Sequence, residues 1–209
     1  GEDPQGGWAG GNGATVWDSA LLLARFLQLR PAELAGAAAL ELGAGVGLVG
    51  MCLAKLGARV LLTERAIALP LLRRNLAENS LGGGPASAEE LSWGTVPLPA
   101  PVRGAANADT GFFDVVVGSD LMFPAILDCL PALVETLRAS VGPATRCWIA
   151  HEPRAAGTDQ ALVDALEPHF VVRRERQDAL PEGSPEDLWI LRLARRAAEL
   201  GPRPAEAAK

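Results

Sequence analysis

The segment Glu41-Leu42-Gly43-Ala44-Gly45-Val46-Gly47-Leu48-Val49-Gly50 constrains this chain more than any other, because so many glycines cannot propagate regular structure. It follows Ala38-Ala39-Leu40-Glu41-Leu42, an apolar run of buried-strand character, and enters a helical pattern from about Val46 to Leu56, closed by Gly57. A glycine turn between strand and helix lets backbone approach a ligand with no Cβ in the way. Gly43 and Gly45 suit that task, while Gly47 and Gly50 let the helix lie close to the sheet. Arg59-Val60-Leu61-Leu62-Thr63 is the next strand, and Glu64 closes it. A carboxylate there can accept two hydrogen bonds from a ribose diol.

The same alternation continues along the chain. Helical spacing predicts helices over about 17–29, 69–79, 126–139 and 159–166. Strands are expected at 88–93, 113–118, 146–150, 170–174 and 188–193, and residues 94–111 read as a long loop rich in Pro, Gly and Ala. Strands separated by helices mean βαβ units and a parallel sheet. The last two strands have no helix between them, so they are expected to pair antiparallel. The predicted fold is α/β: a doubly wound, mostly parallel seven-stranded sheet with helices on both faces and the last strand antiparallel. It is expected over 15–196, between a flexible segment at 1–14 and a flexible tail at 197–209.

Two cofactor classes share the glycine geometry. Gly45-x-Gly47-x-x-Gly50 matches the dinucleotide fingerprint, whereas an acid two residues before Gly-Ala-Gly-x-Gly is the pattern of S-adenosylmethionine (SAM) sites. The position of Glu41 favours SAM, and the absence of any tyrosine removes the Tyr-x-x-x-Lys pair of many nicotinamide reductases.

Composition narrows the partners. A net charge of -6 argues against a chain that holds nucleic acid by its phosphates. No apolar run approaches the roughly 18 residues of a membrane span. Cys52, Cys129 and Cys147 include no CxxC pair, so neither a disulfide framework nor a metal site is indicated, and a reducing compartment is expected. The chain starts at Gly1 rather than Met, so a natural chain extending before Gly1 stays open.

Four motifs in series carry a resemblance: Val16-Trp17-Asp18-Ser19-Ala20, the glycine loop through Glu64, Leu91-Ser92-Trp93-Gly94, and Val116-Val117-Gly118-Ser119-Asp120-Leu121-Met122-Phe123. From about Thr15 to Leu193 the chain resembles the class I, seven-β-strand methyltransferases of the methyltransferase-like 21 type, the family-16 protein-lysine methyltransferases. Within that family, His151-Glu152-Pro153-Arg154 is most similar to the valosin-containing-protein lysine methyltransferase type. The resemblance implies SAM as cofactor and S-adenosylhomocysteine as product. It implies a protein substrate carrying a target lysine, with a chaperone or an ATPase as candidate, a monomer, and a cytoplasmic or nuclear location.

By the same resemblance Glu41, Gly43, Ala44 and Gly45 form the cofactor loop, and Trp17 packs by the methionine end. Glu64 takes the ribose, Trp93 lies against adenine and Ser119 lines the pocket. Asp120 and Phe123 fall on the family's Asp-x-x-Tyr motif as catalytic positions; Phe123 keeps an aromatic wall and loses the phenol hydroxyl. Asp120, at the end of the fourth strand, would attract and orient the incoming ammonium. Its alternative reading is a helix cap. Two other functions stay open: a binding module with weakened catalysis, and a SAM-dependent enzyme acting on a small molecule.

Overall fold

The computed structural model describes residues 15–79, 84–122, 124–153 and 157–196. The expected flexible ends and Phe123 lie outside these residues, as does Arg154. Seven strands form one sheet: β1 (Ala38–Leu42), β2 (Arg59–Glu64), β3 (Ala86–Glu90), β4 (Phe113–Ser119), β5 (Val141–His151), β6 (Phe170–Arg174) and β7 (Trp189–Arg195). Their order is β3-β2-β1-β4-β5-β7-β6. Pairing is parallel from β3 through β5, and β7 runs antiparallel to both β5 and β6. The expected architecture is therefore present, with β7 as the reversed strand.

Helices α1 (Asp18–Gln28), α2 (Pro31–Leu34), α3 (Leu48–Lys55), α4 (Leu69–Glu78), α5 (Ala100–Ala105), α6 (Leu130–Ser140) and α7 (Thr158–Leu166) cover both faces. The period-two pleat sorts the strand residues between two cores. Ala39, Val60, Leu62, Val115, Val117 and Trp148 pack with α1, α3 and α4. Leu40, Leu42, Leu61, Val116, Cys147 and Ile149 face the opposite way, against α6 and α7. In the first core Phe26 is fully buried, its ring meeting Trp148 edge to face at 5.8 Å and 72°. The Arg30 guanidinium lies over the same Phe26 ring, its carbon 3.5 Å from the centroid.

Several boundaries differ from the sequence expectation, each for a local reason. The expected loop 94–111 contains α5, which opens on a proline in its first turn and buries only Val102. The helix expected from Ile126 begins at Leu130. Residues Pro124–Cys129 form 3-10 turns broken at Ile126 (φ -126°), and Pro131, which has no N–H to donate, occupies the first turn of α6. β3 runs over Ala86–Glu90 rather than 88–93, because its partner β2 ends at Glu64, opposite Glu90. Trp93 is thereby moved out of the strand and into a turn. Pro31, expected only to follow a helix, also starts α2, where a missing N–H costs nothing.

The strand order reverses between β1 and β4, and in open α/β sheets ligands gather outside the carboxyl ends at that point. Removing the keystone of the adjoining core tests the packing: Phe26→Ala should lower unfolding free energy by about 3–5 kcal/mol in chemical denaturation. A loss below about 1 kcal/mol would show that the Trp148 contact is dispensable.

Candidate active site

The glycine loop leaves β1 in left-handed backbone. Gly43, Gly45 and Gly47 have φ of 58°, 53° and 89°, a region that side chains with a Cβ rarely enter. Steric space adds to the constraint. A Cβ on Gly47 would lie 2.6 Å from Leu72 Cδ1, and one on Gly43 would meet Leu121 Cδ2 at 3.0 Å and Trp93 Cζ2 at 3.5 Å. The loop is thus in contact with the third and fourth sequence motifs, which lie far from it along the chain.

Four hydrogen bonds fix the loop to its surroundings. Ala44 N–H donates to Thr63 O at 3.0 Å, and Thr63 Oγ1 donates to Glu41 O at 2.7 Å. Asn75 Nδ2 on α4 donates to Val46 O at 2.9 Å. Gly45 N–H reaches Glu64 Oε2 at 3.2 Å. The Glu64 side chain is 12% exposed, and its other oxygen accepts Arg65 N–H at 2.8 Å. A carboxylate has about four lone-pair directions, so two backbone bonds leave capacity for a diol.

Glu41 occupies a different place from the other loop residues. It is 1% exposed on the face of β1 toward α3, and its Oε2 accepts Gly50 N–H at 2.8 Å. Gly50 is in the first turn of α3, so the carboxyl satisfies a helix-end donor that has no intrahelical partner. A Cβ on Gly50 would lie 2.5 Å from Glu41 Oε2, which is why glycine stands there. Burial pushes the Glu41 carboxyl up to about 8; the Gly50 hydrogen bond opposes the rise and the nearby Glu64 adds to it.

Trp93 is half-buried against the second core. The following Gly94 has φ 84°, and its N–H donates to the buried Thr136 Oγ1 at 2.8 Å. A Cβ there would press on Ala132 Cβ at 3.1 Å. The Trp-Gly turn is therefore tied to α6, with the indole directed at Gly43. Trp17 is the half-buried residue before α1, and its carbonyl accepts the N–H groups of Ala20 and Leu21. Ser119 ends β4 beside Ala150 of β5.

Asp120 follows Ser119 and is the one described non-glycine residue with positive φ, at 47°. Its N–H donates to Ala150 O at 3.0 Å, and its Oδ1 accepts Glu152 N–H at 3.0 Å, locking the β4 and β5 ends together. Backbone held in a sparsely populated region marks candidate functional positions. The next side chain, Leu121, lies over Gly118 and reaches Gly43. The structure thus assembles Gly43, Ala44, Gly45, Glu64, Trp93, Ser119 and Asp120 along one rim, with Glu41 beneath the loop. Sequence reasoning missed Thr63, Asn75, Leu121 and Thr136. Thr63 and Leu121 stand inside two of the quoted motifs without a role assigned to them, Asn75 and Thr136 carry no motif signal, and only the fold brings all four to the site.

The likeness to solved structures shows the fold. The chain superposes with TM-score 0.60 on the 16S rRNA N2 G1207 methyltransferase RsmC of T. Thermophilus, at 22% identity over 88% of this chain and 45% of that one. The glycopeptide N-methyltransferase MtfA gives 0.58, at 14% identity over 87% and 95% of the two chains. The architecture and the glycine site define a class I SAM-dependent methyltransferase. Residues 5–168 match the model of the lysine methyltransferase family, and the chain belongs to that family. It is 37% identical over 178 residues to the protein N-lysine methyltransferase METTL21A of Danio rerio, covering 81% of this chain and 73% of that one. It is 30% identical over 174 residues to the EEF1A lysine methyltransferase 3 of Xenopus tropicalis, with the same coverages. Its chemistry is therefore SAM-dependent methylation of lysine.

The raised Glu41 carboxyl makes a sign prediction. Between its ordinary 4.5 and about 8 the unfolded chain has released this proton while the folded chain keeps it. The unfolded state then binds fewer protons, and stability falls as pH rises through that window. The contribution is complete below about pH 4.5 and gone above about 8. Glu41→Gln should remove this slope, so its melting temperature gains on the parent as pH rises from about 5 to about 8. Parallel curves in thermal scans would contradict the buried neutral carboxyl.

Proposed function

We propose that this protein methylates a lysine side chain on a protein partner, with Asp120 receiving the ammonium at the carboxyl end of β4. The observation that carries this reading is the seat of Asp120. A strained acid is linked by its neighbour Leu121 to Gly43 of the cofactor loop, so donor and acceptor positions adjoin.

The residues present suit SAM. The Cβ-free, left-handed backbone of Gly43 and Gly45, with Ala44 between them, would take the amino-acid end. Glu64 would hold the ribose diol with its remaining lone pairs, and the Trp93 indole would lie against adenine. Trp17 would pack by the methionine end and Ser119 would line the pocket beside Asp120, while Glu41 would act through Gly50 by fixing the loop to α3. When bound, SAM supplies an electrophilic methyl group on a positively charged sulfur.

Asp120 does the work on the acceptor side. Lysine attacks only as the free amine, and its reference pKa is about 10.4, so the ammonium must be drawn in and stripped of a proton. A buried carboxylate attracts the cation and can accept that proton, and fixed positioning supplies much of the remaining acceleration. Phe123, outside the described residues, is proposed as the aromatic wall of the lysine channel.

The relatives' names specify EEF1A in one case and an unspecified protein in the other, so the proposal stops at a protein-borne lysine. A chaperone or an ATPase is one candidate class, and the valosin-containing-protein type rests on the segment at His151. The protein is proposed to act as a monomer, without nucleic acid, in the cytoplasm or nucleus; three free cysteines, one of them exposed, suit a reducing compartment.

Two measurements test the reading. S-adenosylhomocysteine should bind in calorimetry, and Glu64→Ala should weaken it by roughly 1–3 kcal/mol, about 5- to 150-fold. Incubating a cell lysate with radiolabelled SAM should place label on protein as methyl-lysine, and Asp120→Ala should abolish the label while retaining cofactor affinity. Label that persists in Asp120→Ala would remove that residue from the mechanism. Label found only on small molecules would overturn the substrate class.

A further inference from the structure

A buried histidine stands behind Asp120, between two carboxylates. His151, the last residue of β5, is 1% exposed. Its Nε2 lies 2.9 Å from Asp159 Oδ1 on α7. Its Nδ1 makes no hydrogen bond and lies 4.0 Å from Asp120 Oδ1. On the β7 side the ring meets the Trp189 indole edge-on, centroids 6.4 Å apart. Among the described residues the charged groups facing the ring are Asp120 from the β4 end and Asp159 from α7. β7 brings only the indole, and Glu152, next in the chain, gives its N–H to Asp120.

Hydrogen-bond roles fix the tautomer. A carboxylate can only accept, so in neutral His151 the hydrogen is on Nε2, toward Asp159, and Nδ1 is left with a bare lone pair. That lone pair faces a second acceptor, Asp120 Oδ1. Burying an unsatisfied acceptor costs free energy, and a histidine kept only for packing has no use for this arrangement. One proton placed between Nδ1 and Asp120 turns the mismatch into an attraction.

We propose that His151 is a positioning residue for the methyl-transfer step, the buried proton acceptor behind Asp120, kept in the Nε2–H tautomer by Asp159. This rests on the reading of Asp120 as the group that meets the substrate ammonium. The ammonium N–H bond breaks and its proton passes to the Asp120 carboxylate, then to His151 Nδ1. The nitrogen keeps the electron pair and forms the new N–C bond with it, as the sulfur–methyl bond breaks and its electrons stay on sulfur. Imidazolium flanked by two carboxylates is the resulting state, and after product leaves the proton returns through Asp120 to water.

Asp159→Asn tests this without changing shape. Its amide can donate to Nε2, which drives the hydrogen to Nδ1 and blocks proton uptake there, the same tautomer logic as in serine-protease triads. The chain has two histidines, so imidazole nitrogen spectra are simple, and His169→Gln assigns them. The parent should show the Nε2–H form and Asp159→Asn the Nδ1–H form, with S-adenosylhomocysteine affinity unchanged. In the rate profile, Asp159→Asn and His151→Gln should lose about tenfold or more in kcat near pH 7 at unchanged KM. Both should approach the parent as pH nears about 9.5, where more lysine arrives deprotonated. A parent with hydrogen on Nδ1, or a loss in kcat equal at every pH, overturns the relay while leaving the proposed function standing. A parent that methylates no protein lysine overturns that function, and the relay with it.

Discussion

The buried contact between the Glu41 carboxyl and the Gly50 N–H holds the rest of the site in place. It joins the end of β1 to the first turn of α3, across a loop whose glycines would otherwise be free to wander. Burial favours the neutral carboxyl, so the contact is bought against the acid's normal ionisation. Thr63 and Asn75 finish the clamp from β2 and α4. The loop can then keep three left-handed glycines in a fixed curve, with Glu64 hydrogen-bonded to Gly45 at its edge.

A second set of contacts runs from the glycine loop to the end of β4. Leu121 and Trp93 both approach Gly43, one from the end of β4 and the other from a turn anchored on α6 by Thr136. A Cβ at Gly43 would press on Leu121 at 3.0 Å and reach ordinary contact with Trp93 at 3.5 Å. The glycine loop thus lies against both the indole and the residue that follows Asp120. The β5 end adds the last layer, since Asp120 takes the Glu152 N–H while His151 waits behind it.

Much of this was legible before any coordinates. β1 falls on the predicted residues, and β2, β4, β6 and the helices at 18–28, 69–78 and 158–166 lie within a residue or so of expectation. These segments carry apolar periodicity that matches their own burial. The misses share a cause. The start of α6 depended on where Pro131 could sit, and the end of β3 on where β2 stopped. Neither boundary is written in local propensity.

The sequence by itself determined the order of strands and helices, the reversed hairpin at the end, and the glycine turn after β1. Those depend on hydrophobic period and on the absence of Cβ atoms, both local properties. Only the tertiary structure decided that Glu41 faces α3 while Glu64 faces the loop, that Trp93 is aimed at Gly43, and that Asp120, His151 and Asp159 form one string. The physical reason is that a pleat's facing and a side chain's neighbours follow from sheet register and helix packing, which join residues far apart in the chain.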